Sequence, residues 1–266
     1  MFTTNPFSIL AETVPPIALQ SFVIVMVALV IIGTLVDIIH KKNVKYFFAN
    51  AKKAKLSATK SLSTGEKISV ISKTIVSDIA TTSELGVGKR RVAHLLGMYG
   101  TILFWVGSVI MIFCYTTSSS DTPSVWPIIW HVGAIMTVLG GSWFWFFLRV
   151  DVYSEAHPWY RIIKADLFVL ALIASSLFGL IWSCLQSLDL NDRWDDKVFL
   201  VLYIISNFVL FGGVYWSKFA HMFYKPGASI QKNLAEADGS RDNLPPPADA
   251  PEQYGLGIDR EKAKHY

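Results

Sequence analysis

Hydrophobic residues in this chain gather into runs too long for the core of a soluble domain. Five windows are almost wholly apolar: 19–40, 92–116, 127–148, 165–188 and 198–215. A helix needs roughly 20 such residues to cross a hydrocarbon core about 30 Å thick. The pattern therefore predicts five transmembrane helices. The fifth is expected to run on as an aromatic helix to about Tyr224. The expected fold class is an all-α membrane protein, a five-transmembrane-helix bundle with amphipathic helices and an irregular tail outside the membrane. The implied divisions are a short segment 1–18, a first span 19–40, a basic loop 41–91, a bundle of four further spans 92–224, and a Pro-rich tail 225–266.

Between the spans the pattern changes. Ile68, Ile71, Ile75 and Ile79 recur at helical spacing beside Lys67, Lys73 and Asp78. Val44, Phe47, Phe48 and Ala51 do the same among Lys41, Lys45, Lys52, Lys53 and Lys55. Such amphipathic helices suit a membrane interface or an acidic protein surface. The tail has no apolar period and carries four prolines between positions 239 and 252, which predicts extended, irregular chain.

Composition agrees, with 52% hydrophobic residues and a mean hydropathy of +0.41, values set by the apolar runs. No Lys or Arg precedes position 19, so the first run lacks the basic region of a secretory signal and reads as a retained span. Charge then orients the bundle. Residues 41–91 hold ten Lys and two Arg against Glu66, Asp78 and Glu84, whereas the alternate connections carry mainly Glu12, Asp121, Asp189, Asp192, Asp195 and Asp196. The positive-inside rule places the amino terminus outside and the basic loop and carboxyl terminus in the cytoplasm. The expected location is the cytoplasmic (inner) membrane, multi-pass. Trp126, Trp130 and Trp194 are expected at the outer interface, Trp159 and Trp216 at the inner one.

Candidate chemistry is sparse. Cys114 and Cys184 are too few for a metal cluster and read as free buried thiols, with a disulfide between them the alternative in an oxidising compartment. No phosphate loop, no His-Glu-x-x-His pair and no Cys-x-x-Cys occurs, and the chain is not expected to be an enzyme itself. A transporter is disfavoured, because no pair of broken helices and no midplane acid appears. Gly140 and Gly141 read as a close helix contact. Histidines within spans are candidate functional residues. His94 and His221 are expected at matched depth on helices of opposite direction, where two neutral imidazoles would be the axial ligands of one inner haem b and bind its iron. Gly97 and Gly100 remove bulk near His94. The alternative is a pair of structural or solvated histidines. His131, beside Trp126 and Trp130, is a candidate for a quinone pocket or for an interfacial histidine.

Several phrases carry a resemblance: FSILAETVPP at 7–16, HKKNVKYFF at 40–48, RVAH at 91–94, WFWFFLRVD at 143–151, PWYRI at 158–162, WSKFAHMFYKP at 216–226 and ADGSRDNLPPPAD at 237–249. Together the chain resembles the membrane anchor associated with dissimilatory adenylylsulfate reductase, over nearly its whole length. That anchor is similar in layout to the cytochrome b (gamma) subunit of respiratory nitrate reductase. The resemblance implies a soluble cytoplasmic partner, adenylylsulfate reductase, and electron exchange with the quinone pool in dissimilatory sulfur metabolism. It also implies two haem positions. The inner one maps to His94 and His221, and the outer to Phe104 and Tyr203, which cannot serve as axial imidazoles. The expectation is one haem b, a quinone and membrane lipid as ligands, no nucleic acid, and docking of the reductase through the basic loop and the tail. The alternatives are an anchor without haem and a cytochrome b serving another soluble oxidoreductase.

Overall fold

The apolar windows form helices because a backbone in lipid must satisfy its own hydrogen bonds. In the computed structural model, residues 1–86, 88–117, 121–153, 155, 157–188 and 194–240 are described, and all their regular structure is helical. The α-helices are α1 (Pro6–Leu10), α2 (Pro16–Lys41), α3 (Asn43–Leu56), α4 (Thr64–Thr74), α5 (Lys89–Cys114), α6 (Val125–Trp143), α7 (Val150–Tyr153), α8 (Leu167–Ser187), α9 (Trp194–Gly212) and α10 (His221–Ala237). Four helical stretches are long and apolar enough to cross a membrane: Pro16–Lys41, Lys89–Cys114, Val125–Leu148 and Lys164–Ser187. The chain is a multi-pass membrane protein. Its helices divide into two compact units, one of residues 1–37 and 92–220, the other of residues 38–91 and 221 onward.

The fifth expected span departs from its prediction. The first turn of α9 carries Asp195, Asp196 and Lys197, and the helix stops at Gly212. The apolar stretch between rises only about 22 Å at 1.5 Å per residue. Gly212 and Gly213 explain the stop. The backbone N–H groups of Trp216 and Ser217 both turn back to the Gly213 carbonyl, at 3.3 and 2.9 Å. The expected helix to Tyr224 is therefore two pieces, and His221 opens α10 rather than ending the fifth helix. The tail expected to be irregular from 225 is helical to Ala237. Residues 241–266, with the Pro-rich phrase, lie outside the described residues, as do 118–120 and 189–193.

In the first unit the backbones of α5 and α6 touch. A Cβ on Gly133 would stand 2.5 Å from the Phe104 nitrogen and 2.7 Å from the Gly100 carbonyl oxygen. Gly140 meets the backbone of Ala93 and Gly97 in the same way, while Gly141 faces Ile173 of α8. The close contact expected of this pair is present. Gly100 is thus filled by α6 rather than left open for a macrocycle. Next in order, α6 packs on α8 and α8 on α9. The loop after α6 closes on a buried ion pair, Arg149 to Asp166 at 2.8 Å. Arg149 also donates to the Arg161 carbonyl at 2.8 Å and lies 3.9 Å over the Trp145 ring. Asp166 in turn accepts from the Ile163 N–H at 3.1 Å.

In the second unit α10 packs on α3 and α4. Of the isoleucine stripe, Ile68 and Ile75 are exposed and Ile71 and Ile79 half-buried, and the chain passes into a π-helical turn at Ile75–Ala80. Polar groups hold α10. Asn233 donates to Thr74 Oγ1 at 2.8 Å and to Asp78 Oδ2 at 2.7 Å, and Ser229 donates to Glu84 at 3.1 Å. Beyond α10 the Asp238 carbonyl accepts from the backbone N–H groups of Thr59 and Lys60, each at 3.0 Å.

The α5–α6 contact makes a direct prediction. Gly133→Ala places a methyl against backbone that cannot swing away and should cost about 1–3 kcal/mol, as overpacking does. Gly97→Ala meets open space and should leave stability unchanged. Thermal unfolding midpoints of the two purified variants in the same detergent check the difference.

Candidate functional site

The described residues bring together one buried cluster and one polar platform, each within its own unit. The cluster is built on Phe104 of α5, Trp130 of α6, Trp182 of α8 and Tyr203 of α9, closed by Phe7 of α1. Asn5 caps α1 by accepting from the Phe7 N–H at 3.0 Å and donates to the Tyr115 carbonyl at 2.9 Å, which holds Phe7 in place. Phe7 meets Trp130 edge-on at 5.9 Å between centroids, and Trp182 stacks on Tyr203 at 5.9 Å. Phe104 lies 5.0 Å from Trp130 and 6.4 Å from Tyr203. These rings fill the volume at the second pair of haem positions, so Phe104 and Tyr203 neither ligate nor leave room for a macrocycle. That position does not fit a haem. Trp130, expected at an interface, is a fully buried core residue whose indole N–H donates to Ser108 at 2.8 Å. Trp159, Trp194 and Trp216 are exposed, and Trp126 is half-buried against the cluster.

His131 adjoins this cluster and is fully buried, which excludes the snorkelling reading. Its Nδ1 is 2.7 Å from the Pro127 carbonyl and its Nε2 2.8 Å from Ser183 Oγ. A carbonyl only accepts, so Nδ1 carries the proton and Nε2 accepts from the serine hydroxyl. Both nitrogens are engaged. A quinone oxygen would have to displace Ser183 to reach the ring. Gln186, one turn further along α8, reaches the Pro6 carbonyl at 3.4 Å.

His94 lies on α5 in the first unit, and His221 heads α10 in the second. Among the described residues no group of three or more His, Cys, Asp or Glu is placed to hold a metal ion, and Cys114 and Cys184 are free.

The platform is the second unit. Asp78 sits at its centre, accepting from Ser77 at 2.8 Å, Ser83 at 2.7 Å and Asn233 at 2.7 Å. Burial opposes its charge, yet the hydrogen bonds from Ser83, Asn233 and Ser77 outweigh that and keep its carboxyl below the ordinary value. Glu84 gathers Lys225 at 3.3 Å and Lys232 at 3.8 Å. At the start of α4, Ser63 and Glu66 form a capping box, and Lys60 pairs with Glu66 at 2.8 Å. The Lys60 hydrogen bond, with those from Ser63, lowers Glu66 to about 2. Asn233 and Ser229 were not legible as functional positions, because they sit past Pro226 and Gly227, which read as helix breakers.

Comparison with family models, with curated proteins and with solved structures finds no match.

The carboxylates set the pH response of the platform. For both, the folded value is depressed. Their contribution is present above the unfolded values of 3.8 for Asp78 and 4.5 for Glu66, and is lost as pH falls through the folded ones. An NMR titration of the Glu66 side-chain carbonyl should give an inflection at about 2 in the parent chain. In Lys60→Met it should move up toward 4.5.

Proposed function

We propose that this chain is a membrane anchor subunit, and that the soluble enzyme it holds is the adenylylsulfate reductase to which the sequence resemblance points. The observation that carries the reading is the second unit. Its described residues fold as a unit of their own, with α10 tied by Asn233 to Thr74 and Asp78 and by Ser229 to Glu84. A preformed surface of this kind lowers the ordering cost of binding. The Lys and Arg excess of residues 41–91 supports a cytoplasmic side for this unit, with the amino terminus outside, in the cytoplasmic membrane. α9, packed along α8, serves in this reading as a short fifth span, which a bilayer accommodates by local thinning. The sulfur chemistry belongs to the partner, and this chain supplies attachment, with Lys225, Lys232 and the tail as the docking side.

Electron transfer to quinone is the second reading, favoured by His94 in the phrase RVAH that carries the resemblance. It requires a haem with His94 and His221 as axial ligands, and haem would supply one-electron transfer. Its mark is a sharp reduced b-type band in the visible spectrum of the purified chain, present in the parent and lost in His94→Ala or His221→Ala. The plain anchor gives no band.

Docking is tested on washed membranes. Removing residues 227–266 takes away Ser229, Lys232 and Asn233 together with the tail. Asn233→Asp sets a carboxylate against Asp78 and loosens α10 without shortening the chain. Both should leave the chain inserted and release the reductase into the wash. Reductase retained by both variants means that docking lies elsewhere on the chain or that this chain is not its anchor, and overturns docking through α10 and the tail.

A further inference from the structure

We infer that one face of α3 is a binding site for anionic phospholipid headgroups. The inference rests on the membrane-spanning fold and not on the identity of any soluble partner. Its first observation is the register of α3. Successive residues turn about 100° around a helix. Val44, Phe47, Ala51 and Ala54 therefore share one side, and Ala54 is 1% exposed, on a helix that packs on α10. Phe48 and Leu56 fall outside that side and stand 65% and 83% exposed. Lys45, Lys52 and Lys55 lie on the same arc as those two, and all three are exposed. Asn50 lies away from it and is also exposed.

The second observation is where α3 begins. The span α2 ends at Lys41, and Lys42 alone separates it from Asn43. Lys42 has φ 53°, a left-handed conformation that a non-glycine residue rarely adopts and that ends the helix abruptly. A helix joined to a span through one residue starts at the membrane surface, within reach of headgroups.

These facts choose between occupants. Lysines alone would suit an acidic protein or a lipid equally. A phenylalanine and a leucine on the lysine face, at the end of a span, suit a layer that is apolar below and anionic above. The two apolar side chains enter the acyl boundary, and the lysine stems run beside them to carry the ammonium groups to phosphate. The lysine face of α3 is then used by lipid, which leaves α10 and the tail for a soluble partner.

The test uses the full chain with Cys114→Ser and Cys184→Ser, reconstituted in vesicles. A nitroxide is placed at Phe48→Cys or, as the comparison, at Asn50→Cys. Power saturation compares collisions with oxygen, which enters lipid, and with a water-soluble nickel chelate. In phosphatidylglycerol vesicles position 48 should favour oxygen several-fold more than position 50. Replacing phosphatidylglycerol with phosphatidylcholine, or adding Lys45→Gln, Lys52→Gln and Lys55→Gln, should bring position 48 toward the value at position 50. The Lys→Arg triple should behave as the parent, which excludes misfolding as the cause. Equal nickel access at positions 48 and 50 in phosphatidylglycerol would overturn the site. Equal protection in both lipids would overturn its anionic character. Protection that appears only after a soluble acidic protein is added would assign the face to that protein instead.

Discussion

Lipid offers no hydrophobic reward for bringing two apolar helices together, so the first unit depends on how closely the α5 and α6 backbones can approach. Gly100 and Gly133 make that approach possible, each with the other helix's backbone where its own side chain would be. The contact then fixes what lies on either side of it. Thr101 and Thr137 meet across it at 3.4 Å and also bond back along their own helices, to the carbonyls of Gly97 and Gly133. About two turns further on, Gly107 lies against Trp130 and leaves the indole room beside Phe104. The aromatic cluster is therefore a consequence of glycine placement as much as of aromatic content.

Several polar groups in this bundle are handled locally. Ser108, Ser206 and Asn207 each donate to the carbonyl four residues earlier. Others bond between helices, as Trp130 does to Ser108 and His131 to Ser183, and Arg149 with Asp166 forms a charged pair nearly closed off from solvent. Removing one partner would strand the other, at about 3–5 kcal/mol for a buried pair. Their gain is directional, because the guanidinium gathers the Asp166 carboxylate, the Arg161 carbonyl and the Trp145 ring at one point. That point sets the course of the chain between α6 and α8.

Where the sequence was legible, it was through properties summed over many residues. Four apolar windows appear as helices within a few residues of their expected bounds, because length and hydrophobicity alone decide them. Gly140 and Gly141 announced a helix contact, because small residues have few other uses in a span. Positions whose meaning depends on a neighbour were opaque. Gly97 and Gly100 read as space for a macrocycle beside His94, and α6 fills that space at Gly100. His131 read as interfacial until Ser183 and Pro127 supplied partners for both ring nitrogens. The tail at α10 was opaque for the same reason. Pro226 and Gly227 disfavour a helix locally, and the bonds from Asn233 to Thr74 and Asp78 and from Ser229 to Glu84 hold it.

The two units are held by different forces, and their stabilities should respond differently to solution conditions. Steric fit and dispersion in the first unit do not depend on ionic strength. In the second, Glu84 with Lys225 and Lys232 faces water, and such pairs weaken as salt screens them. The Asp78 bonds add a dependence on low pH. A region tied by few, partly hydrated polar bonds opens more readily than a close-packed bundle. The second unit is thus the part of the molecule that a partner or a membrane surface can reshape while the spans stay assembled. That division suits the anchor proposed above, since the part in the membrane is insulated from the conditions to which the part proposed to dock responds.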